Sequence, residues 1–282
     1  MMNSSEWVLK SILNRYPENY RESLQRFLPE TTRERLDAMP TSEVETDIEE
    51  LPLLERIHWS WLLPAFETLT LREQKLFLSA LSPLSKENLC RELKIKTIPN
   101  EELSQIVKEF AVQTLEENLT GEPVQLLPVY FLPPTPIASM LRLDKKQLVQ
   151  LIDALSLNDL ASELRQIVET KILKKIYSFL SEEEKKSLKK AANTKQPFTA
   201  MRLPLEKWDG TEKSFRLLLH KRGLARLGAA LSTQHPDFIW YISHQLDIGR
   251  GKTLAKLVES EAARGASQPI ISQIEDLLKE IA

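Results

Sequence analysis

One spacing recurs through this chain and commits it to paired helices. From His235 the sequence reads HPDFIWYISHQLDIGRGKTLAKLV. A polar pair that can start a helix is followed by a stripe of Ile239, Ile242 and Leu246, then the capping residue Asp247, then a second stripe through Leu254 and Leu257. The same layout begins at Pro17, His58, Asp144 and Glu169, and every unit has a leucine eleven residues on: Leu28, Leu69, Leu155, Leu180 and Leu246. Next come Pro29, Thr70, Ser156, Ser181 and Asp247. Four of these are good helix N-caps, and Thr31 and Thr32 can serve after Pro29. Thr70-x-x-Glu73 and Ser181-x-x-Glu184 have the spacing in which hydroxyl and carboxylate each satisfy a backbone N–H at the helix start. The second helices of the units then present Leu36, Leu76, Leu164, Leu188 and Leu254.

The units start 41, 86, 25 and 66 residues apart, so no fixed period of a regular solenoid is present. The expected fold is all-α: an irregular stack of helical hairpins, each needing a neighbour to bury its apolar face. Only 7 glycines in 282 residues, among abundant Leu, Glu, Lys and Ala, agree with a helical chain. The length suits two sub-domains. Residues 1–120 form the expected N-terminal helical domain, 121–136 a connector, and 137–282 the C-terminal helical-repeat domain. The connector GEPVQLLPVYFLPPTP has five prolines and no helical period, so it should run extended. Leu126, Leu127, Val129, Tyr130, Phe131 and Leu132 make it too apolar for a free linker, and it should lie ordered against the helices or offer a surface to a partner strand.

The net charge of -2 points to no particular partner. Its distribution says more, because Lys171 to Lys256 holds 18 Lys and Arg against 8 Asp and Glu, leaving the remainder acidic. Such a bipolar chain has solvated helix faces segregated by sign, or halves that dock on partners or on other copies of itself. In the front half, Glu43, Glu45, Asp47, Glu49 and Glu50 crowd one acidic connector. A single cysteine, Cys90, excludes an internal disulfide and favours a cytoplasmic location, peripheral at the inner membrane at most through protein partners. No run approaches the roughly 20 apolar residues of a membrane span, so direct insertion is not expected.

Two places could contact proteins. In HWSWLLPAF, Trp59 and Trp61 are either core or an exposed docking pair, and Pro64 should kink the helix or fix its first turn. The basic run SFRLLLHKRGLARLGAALS spans one helix or a pair, with Gly223 and Gly228 allowing close helix approach or marking a turn. It brings Arg216, Lys221, Arg222 and Arg226 toward His235, Arg250 and Lys252 as a candidate protein-binding surface. The same cations could track a phosphate backbone, but no recognition-helix pattern, RNA-binding aromatic signature or basic pI accompanies them. Between these places, Leu103, Ile106, Val107, Phe110 and Leu115 read as the buried stripe of a further helix.

Searching for chemistry yields little. GRGKT, Gly249 to Thr253, lacks the glycine that a phosphate-binding loop needs five residues upstream, since Leu246 stands there, and it reads as a flexible helix start. His58 and His235 open equivalent hairpins, which suggests capping or a hinge. His235 and His244 lie nine apart, too far along one helix to share a metal. Without a Ser-His-Asp order, an HExxH motif or a cysteine cluster, no catalytic residue, metal or cofactor is expected.

The His235-Pro236-Asp237 opening with its leucine finish resembles the armadillo-type helical repeats of the flagellar rotor switch protein FliG and the amino-terminal domain of MgtE magnesium transporters. His58 lacks the proline, and the other units lack both residues. NDLASELRQIV (Asn158 to Val168), KILKKIYSFLS (Lys171 to Ser181) and the stretch Leu218 to Lys252 resemble proteins associated with type III secretion in obligate intracellular bacteria. These matches cover roughly the last half of the chain. The resemblance implies a non-enzymatic scaffold or adaptor that binds other subunits of a secretion apparatus. A secretion chaperone for an effector and a flagellar-switch-like regulatory repeat protein are the alternatives.

Overall fold

The computed structural model describes residues 4–14, 16–39, 51–97, 99, 102–121, 126–193, 205, 208–261 and 267–281. The acidic connector of Glu43 to Glu50 lies outside them. Among the described residues there is no strand, and the chain is an all-α stack. It opens with α1 (Ser4–Asn14), α2 (Glu18–Gln25) and α3 (Glu30–Ala38). After α4 (Leu53–Arg56) comes a 3₁₀ turn at Trp59–Trp61, then α5 (Leu63–Glu67), α6 (Leu71–Ala80), α7 (Pro83–Glu92) and α8 (Gln105–Thr120). The back half holds α9 (Lys145–Leu164), α10 (Thr170–Phe179), α11 (Glu182–Asn193), α12 (Glu212–Leu231), α13 (Pro236–Gln245), α14 (Ile248–Glu261) and α15 (Ser267–Ile281). No helix among the described residues is long and apolar enough to cross a membrane.

Side-chain caps set the starts of α6, α9, α11, α12, α13 and α14. Thr70 and Glu73 form the expected reciprocal box, Thr70 N donating to Glu73 Oε2 at 2.8 Å. Ser181 and Glu184 repeat it at the start of α11 (2.7 and 3.1 Å). Pro64 falls in the first turn of α5, where its missing N–H costs nothing. His58 and His235 are both N-cap residues.

The third expected hairpin does not form. Asp144 caps α9 as the spacing implies, but the helix runs through Leu155 and Ser156 without a break. No glycine or proline stops it there, and Ser156 turns its hydroxyl back onto the Asp153 carbonyl at 2.6 Å. With Leu148, Leu151, Ile152, Leu155, Leu157 and Leu160 all buried, packing around the whole cylinder outweighs a mid-helix capping signal. The α8 stripe is also rotated from expectation. Leu115 is buried, but Ile106 and Phe110 are 79% and 64% exposed. Ala111 takes the inner face with Leu115, and both join the core that α8 shares with α6.

The basic run is one continuous helix, α12, and it forms the axis of the back half against α9, α14 and α15. Gly223 makes the close approach possible: a Cβ there would lie 1.8 Å from the Ile152 carbonyl oxygen of α9. The largest core therefore joins α9 and α12 to α15, through residues such as Leu151, Leu227, Ile242, Leu254 and Ile274. Burying each such side chain contributes about 1.5–3 kcal/mol. A second core joins α4 to α8 through Phe66, Leu78, Leu89 and Leu115, and Leu53 and Trp240 pack against both.

The proline-rich segment is ordered where described. It includes a 3₁₀ turn at Val129–Phe131, so it is less extended than its prolines imply. Val129 and Leu132 are buried in the large core. The Leu127 amide donates to Asp237 Oδ2 (3.0 Å) and its carbonyl accepts from Tyr241 Oη (3.0 Å). Both backbone groups at that position are thus engaged by α13 rather than open to an added strand.

Candidate functional site

A break between two helices exposes backbone groups that need partners. Between α13 and α14 those groups include the carbonyls of His244 and Leu246 and the amide of Ile248, and the front half supplies all three partners. His58 N donates to His244 O (2.7 Å), Trp61 Nε1 donates to Leu246 O (2.8 Å), and Ser60 Oγ accepts from Ile248 N (2.9 Å). Residues 58–61 thus cap a helix junction that lies more than 180 positions away.

Rings close the seam. His244 stacks on Trp240 at 3.7 Å between centroids, and Trp61 covers it at 3.9 Å. Burial pushes the His244 imidazole down to about 4, so it is neutral at pH 7. Gly251, in the first turn of α14, admits Trp61: a Cβ there would meet the ring at 2.5 Å and the Ser243 carbonyl at 2.3 Å. GRGKT is therefore a regular turn of α14 packed tightly at Gly251, rather than the flexible start expected of it.

Beside the seam runs a polar chain. The Lys145 ammonium lies 2.7 Å from His58 Nε2 and 3.9 Å from Asp247. Burial first, and Lys145 second, bring His58 down to about 4. Burial alone would push Asp247 up, but hydrogen bonds from Arg250 outweigh it and hold the carboxyl below its usual range. Arg250 continues to His220 Nε2 (2.9 Å), and His220 Nδ1 to Asp153 (2.7 Å).

The seam leaves a groove of about 1270 Å³ open between the halves. One wall comes from Leu51, from Glu55 to Trp59, from Ser82 and from Leu84, Ser85 and Asn88 of α7; the other is Leu141 to Lys146, with Gln245 beside it. Four cations, Arg56, Arg142, Lys145 and Lys146, stand on it against two acids, Glu55 and Asp144. Asp144 is already committed to the α9 cap, accepting from Gln147 N at 2.7 Å.

The fold separates the residues that the sequence groups together. Trp61 belongs to the seam, whereas Trp59 lines the groove. Arg222 and Arg226 do not form a surface. Both pair with Asp159, which is 1% exposed, and Arg226 also donates to Gln273 Oε1 of α15 (2.7 Å). Burial pushes Arg226 below the usual arginine range, with Asp159 opposing it. These two arginines hold α12 to α9 and α15 from inside. Arg216 binds Glu184 and the Phe179 carbonyl, and Arg250 binds Asp247 and His220. His235 caps α13, its Nδ1 accepting from Asp237 N at 3.2 Å. Lys221 and Lys252 remain exposed on the surface.

Sequence reasoning missed Ser60 and the four groove cations. Ser60 carries a signal, a lone hydroxyl between two tryptophans. The cations carry none, because Arg56 and Arg142 to Lys146 meet only after folding. Among the described residues, no three His, Cys, Asp or Glu side chains gather as a metal-binding group. Comparison with protein-family models, curated proteins and solved structures finds no match to this chain.

Proposed function

We propose that this chain is a non-enzymatic scaffold or adaptor of a bacterial type III secretion system, binding other cytoplasmic components of the apparatus through the groove between its halves. The observation that carries the docking role is the seam. Three backbone hydrogen-bonding groups of the α13–α14 junction are satisfied by His58, Ser60 and Trp61, so the two walls of the groove are held in register. A groove lined by Trp59 and edged with cations suits recognition of a protein segment. The secretion assignment rests on the resemblance of Asn158 to Val168, Lys171 to Ser181 and Leu218 to Lys252.

Affinity capture of the tagged chain from a native lysate tests the proposal. Recovery of membrane-ring or ATPase-complex subunits supports the scaffold. Stoichiometric recovery of one secreted effector replaces it with a chaperone, and recovered DNA or RNA overturns both.

A further inference from the structure

The two walls of the groove differ in chemistry, and the difference specifies a ligand. On the front wall, Leu51 is 46% exposed and Leu84 is 71% exposed, with Trp59 beside them. On the back wall, Arg142, Lys145 and Lys146 are exposed around the start of α9. An uncharged apolar ligand would take these exposed cations out of water and bring no acid to them, which is costly. A nucleic-acid strand would satisfy the cations but set its backbone against Leu51 and Leu84, where it gains nothing. At about 1270 Å³ the groove also exceeds the roughly 300–1,000 Å³ of small-molecule sites.

We propose that the groove receives an amphipathic helix of a partner protein whose apolar stripe is bordered by aspartate and glutamate. The stripe lies on Leu51, Trp59 and Leu84, and the carboxylates face Arg142, Lys145 and Lys146. Helical spacing of i, i+3, i+4 and i+7 presents one apolar face with acidic edges to two such walls at once. This inference rests on the protein-docking reading above and names the chemistry of the partner.

The test is a selection of random 16-residue peptides on the full-length chain, followed by binding of the best synthetic peptide by fluorescence anisotropy. Enriched sequences should carry apolar residues at helical spacing flanked by Asp or Glu. Binding should weaken at least ten-fold in Arg142→Glu/Lys146→Glu and in Leu84→Asp, all exposed positions, with circular dichroism unchanged. Replacing the peptide's acids by lysine should restore binding to the double variant. A basic or uncharged consensus, no enrichment over Leu84→Asp, indifference to both sets of substitutions, or displacement by a 12-mer of polyuridine at equal concentration overturns the inference. Capture of secretion subunits that survives these substitutions removes the groove assignment but keeps the scaffold. Peptide binding without such capture keeps the groove and removes the secretion role.

Discussion

His58 and His235 begin their hairpins alike and end differently. In each, Nδ1 lies 3.2 Å from the amide two residues on, and a leucine follows eleven residues later. After His235, Pro236 fills the first of the ten helical positions of α13. After His58, Trp59–Trp61 make only a 3₁₀ turn, and helix resumes at Leu63. The difference lies in what each hairpin serves. Ser60 and Trp61 turn away from their own helix to satisfy the junction that ends α13 and starts α14. One hairpin thus gives up a regular first helix to cap the other.

Crowding the place where the two hairpins meet should have the largest effect. Gly251→Val sets side-chain atoms against a backbone carbonyl and the Trp61 ring, and the loss should be about 3 kcal/mol in urea unfolding. A variant within experimental error of the parent would mean that Trp61 and α14 are not packed this closely.

Acid should loosen the same contact. Burial brings the folded His244 imidazole down to about 4, against roughly 6.5 for an exposed histidine. Between those values the unfolded chain binds more protons, so the contribution is complete above about pH 6.5 and is lost as pH falls through 4, by about 2–3 kcal/mol. His58 acts in the same direction. Unfolding free energies of wild type and His244→Phe at pH 7, 5.5 and 4.5 isolate the contribution of this imidazole. Parallel pH profiles for the two chains would contradict a buried neutral imidazole.

Trp61→Phe keeps most of the ring but leaves the Leu246 carbonyl without its donor, at a cost of about 1–3 kcal/mol. Trp59→Phe, half-buried against the front core and beside the groove, should cost less, about 1 kcal/mol. Equal losses of Tm in the two variants would erase the distinction between seam and groove. The caps themselves rank lower: His58→Ala and His235→Ala should each cost about 1 kcal/mol, the first more because it also loses Lys145 and Ser60. The smallest change is a gain. Gly249→Ala, two residues before Gly251 on the exposed side of α14, should add up to about 1 kcal/mol in thermal unfolding through helix propensity.

Much of this arrangement is readable in the residues, but unevenly. Thr70, Ser181, Asp247 and both capping histidines mark real helix starts, because a cap is completed within three residues of itself. Ser156 has the same local look and fails, since leucines on both sides of it are buried and hold α9 straight. The proline-rich stretch is apolar, and it is packed accordingly. The basic run misleads for a related reason. Its charges are real, but Asp159 comes from another helix and draws Arg222 and Arg226 inward.

An all-helical chain of paired segments, and most of the points where those helices begin, follow from the sequence alone, because leucine periodicity and capping act over a few residues. Which capped segment becomes a turn, which arginines are buried, and where four cations gather beside Trp59 were decided by tertiary contacts. Those outcomes depend on groups brought together from positions about 60 to 190 apart in the chain, where solvent exclusion rather than local hydrogen bonding sets the result.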